Sequence, residues 1–197
     1  MPETDFLKPD LRDAEILYYP NFLKSELAWD FFNQLLEEVP WIQDDIKIFG
    51  KVYAQPRLTA FYADNKNTYS YSGITMTPLQ FTPALREIKD KIESESGDEF
   101  TSCLLNLYRS GKDSNGWHAD DEKELGINPV IASVSLGANR LFKMKHRHNK
   151  DLKFDLILEH GSLLVMKGAT QHFWLHQLPK TKKSIGERIN LTFRYIK

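Results

Sequence analysis

The sequence predicts a mainly β, α+β fold: a barrel or double-sheet jelly roll with N-terminal helices packed outside it. Three observations carry this. From residue 100 onward, short extended segments recur with Gly137, Gly161 and Gly168 between them, and many short strands with regular turn signals mark closed or two-sheet β architectures. The two segments with helical periodicity both precede that region. The final segment, R-I-N-L-T-F-R-Y-I, alternates strictly: Arg188, Asn190, Thr192 and Arg194 share one face, and Ile189, Leu191, Phe193 and Tyr195 the other.

In chain order, residues 1–20 read as a lead-in holding a short apolar strand, I-L-Y-Y. Ser25 is placed to cap a helix that stops before Pro40, with Leu27, Phe31, Leu35 and Val39 as its core stripe. I-K-I-F-G-K-V-Y reads as a hairpin with Phe49 at its tip, and Pro56–Asp64 as a strand. In T-Y-S-Y-S-G-I-T-M-T-P, Tyr69 and Tyr71 share a face if the chain is extended. Thr82 and Pro83 start a second helix, which ends near Gly97. The expected later strands are Phe100–Tyr108, Pro129–Leu136, Arg140–Lys145, Leu152–Leu158, Ser162–Lys167, Thr170–Leu175 and Arg188–Ile196. No repeat or linker interrupts the chain, so one domain over 1–197 is expected.

The composition is that of a soluble globular protein, with 41% hydrophobic and 27% charged residues in 197. No apolar run reaches the length of a membrane span, and the start of the chain has no secretory pattern. Cys103 is the only cysteine, which excludes an internal disulfide and a thiolate zinc cage. An intracellular, monomeric protein without membrane contact is expected, cytoplasmic if bacterial and nuclear if eukaryotic. The net charge of −1 hides an asymmetry: residues 1–50 hold 11 acids and 4 bases, residues 51–197 hold 22 bases and 16 acids. The basic excess concentrates in Arg140–Lys153 and Lys180–Lys197, candidate contacts for a phosphate backbone.

The chemistry concentrates in N-L-Y-R-S-G-K-D-S-N-G-W-H-A-D-D, residues 106–121. If the turn leads into an extended segment, His118 and Asp120 point one way, and Ala119 and Asp121 the other. One imidazole and one carboxylate on a face form two thirds of the 2-His-1-carboxylate triad of non-haem Fe(II) sites. The third ligand has two candidates, since His172 and His176 share a face with Trp174 if T-Q-H-F-W-L-H is extended. His146 and His148, in K-M-K-H-R-H, are expected to face solvent, and His160 sits at a glycine turn. Two arginines and an amide on an inward strand face call for an anionic partner, and a dicarboxylate suits guanidinium. Asn106 and Tyr108, two apart on the strand leading into the turn, can also hydrogen-bond a carboxylate.

Taken together, N-x-Y, G-W-H-x-D, H-Q-L-P and R-I-N-L-T-F-R resemble the AlkB family of Fe(II)- and 2-oxoglutarate-dependent nucleic-acid dealkylating dioxygenases. The resemblance spans roughly Phe49 to Arg194. Through I-F-G, Q-P-R, Y-S-Y-S-G-I-T-M-T-P and H-A-D-D-E it looks nearest to the branch acting on duplex DNA. It implies a double-stranded β-helix over about 100–197 and a nucleotide-recognition region over about 45–75. Iron would be held by His118, Asp120 and His176, the last chosen by the family motif. Arg188 would clamp the distal carboxylate of 2-oxoglutarate, helped by Asn106 and Tyr108, with Asn190, Thr192 and Arg194 completing the pocket.

The implied reaction uses dioxygen and 2-oxoglutarate to demethylate N-alkylated bases such as 1-methyladenine and 3-methylcytosine in duplex or single-stranded DNA. It releases succinate, carbon dioxide and formaldehyde, and a base in a duplex must first be flipped out. Tyr71 would stack on the flipped base opposite His118. Arg57 would pair with Asp121, Tyr69, Ser72 and Glu122 would neighbour the lesion, and Phe49 would fill the gap in the stack. The alternatives are RNA demethylation and oxygenation of a protein or lipid.

Overall fold

The computed structural model describes residues 6–48, 51–64, 69–71 and 74–196. The strands are β1 Glu15–Tyr19, β2 Asp45–Ile48, β3 Lys51–Ala54, β4 Leu58–Ala63, β5 Tyr69–Tyr71, β6 Ile74–Met76, β7 Ser102–Tyr108, β8 Asn115–His118, β9 Ile131–Gly137, β10 Arg140–His146, β11 Lys153–Leu158, β12 Ser162–Lys167, β13 Trp174–Leu178 and β14 Arg188–Arg194. The helices are α1 Ser25–Glu38, α2 Pro83–Ser96 and the single turn α3 Thr170–Phe173. Two antiparallel sheets dominate: a six-stranded one in the order β1-β12-β9-β14-β7-β4, and a four-stranded one in the order β11-β10-β13-β8. This is the two-sheet jelly roll the strand pattern predicts. β1, from the expected lead-in, and β4, from the expected recognition region, form the two edges of the large sheet. Among the described residues no helix is long and apolar enough to cross a membrane.

α1 ends because Val39 precedes Pro40 and turns extended, at φ −75° and ψ 128°. It buries Ala28, Phe31, Phe32 and Leu35. Ser25 is its first residue rather than its cap. Lys24 holds the cap position and offers no side-chain acceptor; the entry is tied down instead by Leu23 N–H donating to the Gly161 carbonyl at 2.9 Å. α2 begins as its sequence suggests, with Thr82 Oγ1 accepting from Leu85 N–H at 3.3 Å and proline at the first helical position. It ends at Gly97, whose φ of 73° suits a residue without Cβ.

Both helices cover the outer face of the large sheet. Phe31 and Leu35 of α1 and Leu85, Ile88 and Ile92 of α2 share one buried cluster with Leu105, Leu107, Val134, Leu136, Ile189, Leu191 and Phe193. Burying each such side chain contributes about 1.5–3 kcal/mol. A second cluster, including Leu104, Ile131, Phe142, Met144, Met166 and Trp174, lies among strands of the two sheets. β14 therefore has two buried faces of opposite character: Ile189, Leu191 and Phe193 meet the helix-side core, and Arg188, Asn190, Thr192 and Arg194 turn inward. Tyr195, expected on the apolar face, lies past the end of the strand and is exposed.

Two local expectations are overturned. Thr170–Phe173 is a helical turn, not the start of a strand: Thr170 Oγ1 donates to the Lys167 carbonyl at 2.5 Å and accepts from Glu15 N–H at 2.9 Å, which folds the chain back. His146 is buried rather than solvent-facing. Its Nδ1 accepts from the backbone N–H groups of His148 and Asn149, both at 3.1 Å, and its Nε2 faces the Asp13 carboxylate at 3.2 Å.

Gly137, at the end of β9, has a φ of +88°, and a Cβ there would lie 2.4 Å from the Glu187 carbonyl oxygen and 2.7 Å from Phe32. Gly137→Ala is expected to destabilise the fold by at least ~2 kcal/mol, read as a lower urea midpoint with an unchanged slope.

Candidate active site

β8 and β13 place His118 directly opposite His176 in the sheet register, with ring centroids 4.2 Å apart. Asp120 follows two residues after His118, just beyond the end of β8. One ligand-capable atom from each of the three lies within 4.8 Å of the others. Gly116 O can only accept, so the 2.7 Å contact to His118 Nδ1 puts the proton on Nδ1. Nε2 then carries the lone pair, accepting the Asn115 amide at 3.1 Å, and is the His118 atom open to a metal.

Asp120 is almost fully buried, 2% exposed. Burial alone would raise its pKa, but Arg194, His176 and His118 outweigh it and hold the carboxyl at about 2. Arg194 donates an Nη2 hydrogen bond to Oδ1 at 2.8 Å. His176 is lowered to about 3, chiefly by burial and then by His118, against the pull of Asp120. At neutral pH the site thus presents a neutral imidazole and a carboxylate, the protonation states a divalent metal needs. His176 Nδ1 is buried without a hydrogen-bond partner. Two imidazoles and one carboxylate suit iron(II) with open coordination positions.

The same cavity continues to the inner face of the large sheet. All nine residues singled out for metal and co-substrate line it: His118, Asp120, His176, Asn106, Tyr108, Arg188, Asn190, Thr192 and Arg194. Arg188 is 2% exposed. Burial lowers its pKa to about 10, partly offset by Tyr108, so it stays cationic at neutral pH. Its Nη2 donates to Ser135 Oγ at 2.9 Å, its guanidinium lies 5.3 Å from the Tyr108 ring centroid, and its Nε is buried without a partner. A buried cation with an unused donor in a polar cavity suits an anionic ligand. Asn190 is held by donating to Ser133 Oγ at 2.7 Å and by accepting from Thr192 Oγ1 at 3.2 Å.

The substrate-side expectations fare differently. Arg57 does not pair with Asp121. It is buried beside β7, donating from Nε to Asn106 Oδ1 at 2.7 Å, while Asp121 turns outward and accepts from Arg147 Nη2 at 2.6 Å. Arg57, Asp121 and Glu122 do not line the cavity. Phe49 and Ser72 lie outside the described residues, as do the side chains of Tyr69 and Tyr71, whose backbone forms β5 against β6. His172 lies on α3, exposed, so the helical turn leaves His176 as the histidine that meets His118.

Sequence reasoning missed Gln171. Its fully buried side chain accepts from Asp120 N–H through Oε1 at 3.0 Å, while its carbonyl accepts from Arg147 Nη2 at 3.1 Å. Arg147 thereby ties the Asp121 carboxylate to the same turn. No local signal marks Gln171, and Arg147 was hidden in a basic run. Ser133 and Ser135 were missed as well, although the alternation of I-A-S-V-S-L carries a signal for them.

Two packed antiparallel sheets around a His-Asp-His cluster and a buried arginine define the class, and sequence comparison agrees. A profile of the 2OG-Fe(II) oxygenase superfamily matches residues 15–194. The chain therefore belongs to the 2OG-Fe(II) oxygenase superfamily, with AlkB homologues as its relatives. It is 43% identical to the human alpha-ketoglutarate-dependent dioxygenase alkB homolog 3, over 93% of this chain and 66% of that protein. It is 38% identical to the mouse DNA oxidative demethylase ALKBH2, over 98% of this chain and 86% of that protein. The chain thus spans just under two thirds of the length of the human relative. The solved structure of OsALKBH1 shares the fold, with a TM-score of 0.66 at 18% identity over 96% of this chain and all of that one.

Two outcomes test the site. Arg194→Met leaves the Asp120 carboxylate buried without its cation, and should cost about 3–5 kcal/mol at neutral pH. A depressed carboxyl pKa stabilises the fold above the unfolded value of about 3.9, and that contribution is lost as pH falls through the folded value. The gap between parent and variant in urea titrations should therefore narrow below pH ~4. Gln171→Leu should weaken Mn(II) binding by about 10–100-fold in calorimetry, the usual effect of removing an outer-shell partner, without loss of folded signal.

Proposed function

We propose that the protein oxidatively demethylates N-alkylated bases, 1-methyladenine and 3-methylcytosine, in DNA, with Fe(II), 2-oxoglutarate and dioxygen. The whole chain acts as one dioxygenase unit. The observation that carries this reading is the single cavity joining a metal-capable His-Asp-His cluster to a buried, cationic Arg188. The relatives' names, alkB homolog 3 and DNA oxidative demethylase, support the nucleic-acid substrate.

In this reading His118, Asp120 and His176 hold iron, and Arg194 keeps Asp120 ionised and oriented. Arg188 receives the distal carboxylate of 2-oxoglutarate, with the Tyr108 ring against its guanidinium. Arg57 fixes the Asn106 amide, leaving its NH2 group to the co-substrate. Asn190 and Thr192, bonded to each other, wall the pocket. Iron with 2-oxoglutarate and dioxygen supplies the oxidation of the N-methyl carbon, giving succinate, carbon dioxide and a hydroxymethyl base that loses formaldehyde. Tyr69, Tyr71, Ser72 and Phe49 are assigned to recognition of the base, with Arg57, Asp121 and Glu122 in supporting roles. Arg57 acts there through Asn106, and Asp121 through Arg147.

The test is anaerobic protein with Fe(II), 2-oxoglutarate and oligonucleotides carrying 1-methyladenine, started with oxygen. Duplex DNA, single-stranded DNA and RNA form parallel arms. Formaldehyde is expected from at least one DNA arm; release from RNA alone moves the substrate to RNA, and release from none sinks the reading. His118→Ala should abolish turnover. Arg188→Met should raise the 2-oxoglutarate KM about 10–100-fold, since a charge-assisted hydrogen bond is worth about 1.5–3 kcal/mol.

A further inference from the structure

The outer face of the four-stranded sheet carries a second arrangement that the active site does not use. β10 alternates, sending Phe142, Met144 and His146 inward and Leu141, Lys143 and Lys145 outward. On the outward side Lys143 stands opposite Asp155 of β11 and is ion-paired with it. Lys145 stands opposite Lys153. Like charges at facing cross-strand positions destabilise a sheet, so this pair carries a local cost that an anion would relieve. Trp117, on β8 at the edge of the sheet, is 38% exposed. Lys145 Nζ lies 4.3 Å from its ring centroid. Trp117, Lys143, Lys145, Lys153, Phe154 and Asp155 border an open cleft of about 510 Å³.

Three other basic residues of the Arg140–Lys153 run are committed elsewhere. Arg140 is buried and donates to the carbonyls of Asp113 and Pro179 at 2.9 and 2.8 Å. His146 is buried and meets Asp13. Arg147 holds Asp121. The run therefore offers a phosphate contact through Lys145 and Lys153, beside the Trp117 ring. Cations that track a backbone, together with aromatic faces that stack bases, are the chemistry of single-strand recognition. Position agrees: Trp117 and His118 are adjacent on an edge strand, so a chain crossing that edge passes from the mouth of the active site to this cleft.

We propose that this cleft is a nucleotide subsite, holding a single-stranded nucleotide that flanks the base in the active site. Its phosphate lies between Lys145 and Lys153, and its base lies on Trp117. The proposal rests on the nucleic-acid reading of the active site but is tested apart from it.

The experiment titrates an unmodified, fluorescein-labelled oligothymidylate of about 12 nucleotides, near the site size of such surfaces, into the full chain by anisotropy across a salt series. The Lys145→Gln/Lys153→Gln double variant should bind more weakly and lower the steepness of log K against log salt by about 0.7–1.4, the share of one to two phosphates. Trp117→Leu should weaken binding about 5- to 150-fold, the range for losing one stacked base, and Trp117→Phe should recover much of it. Mn(II) and 2-oxoglutarate binding by calorimetry should match the parent in the lysine variant, which separates the cleft from the active site. Parental affinity and salt slope in both the lysine double variant and Trp117→Leu would overturn the subsite, as would absence of oligothymidylate binding by the parent. Failure of methylated strands to release formaldehyde overturns the proposed reaction and leaves this binding result standing.

Discussion

The structure depends on one strand having two buried faces of opposite polarity. β14 has a sheet neighbour on each side, β9 and β7, so its backbone hydrogen bonds are spent within the large sheet. Its side chains alternate between a helix-covered apolar core and the cavity between the sheets. An inward face of Arg188, Asn190, Thr192 and Arg194 is costly for folding, because buried cations and amides must find partners. The partners come from neighbouring strands and from the metal-capable cluster: Ser135 for Arg188, Ser133 for Asn190 and Asp120 for Arg194. The outward face offsets that cost through the cluster shared with α1 and α2. Stability and chemistry are thus assigned to opposite faces of one segment, and a register slip of one residue would exchange them.

Electrostatics links the two ends of the cavity. Arg194, from the same face as Arg188, is the strongest of the influences holding the Asp120 carboxyl at about 2 despite burial. It also lowers His176, alongside the larger effects of burial and His118. A carboxylate kept ionised beside imidazoles kept neutral is the protonation state that a metal would otherwise have to impose by displacing protons. Arg188 plays the complementary role, as a buried cation facing a cavity where an anionic group can neutralise it. One alternating strand therefore supplies both the counter-charge to the cluster and the recognition charge for an acid.

What was legible in the sequence follows from periodicity. The alternation of R-I-N-L-T-F-R, the cap and terminator of α2, and the glycine punctuation of the later strands all depend on local backbone chemistry. They reappear in the structure with boundaries moved by a residue or two. Eight of the nine expected residues that line the cavity belong to an alternating strand or a short ligand spacing, whereas His176 was separated from His172 only by the family motif. Tertiary partners were not. Arg57 and Asp121 are both charged and both near the site, yet a strand neighbour and a loop arginine reach them first. His146 looked exposed in a basic run, but two backbone N–H groups and Asp13 converge on it from residues far apart in sequence or hidden in a turn.

The misjudged stretch is also where the site acquires its bracing. Extended pairing across Thr170–Phe173 would have joined these residues to the strand that follows. The helical turn instead leaves the Gln171 amide free to accept from Asp120 N–H, while the Gln171 carbonyl takes Arg147. Arg147 in turn grips Asp121. Two adjacent aspartates are therefore held from one turn, one through its backbone and one through its side chain. Asp120 is thus braced on both sides, at the Ala119–Asp120 peptide and at the Asp121 side chain. The alternation of faces after His118 explains why Asp120 and Asp121 diverge. The turn, which has no periodic signature, supplies the groups that hold each of them in place.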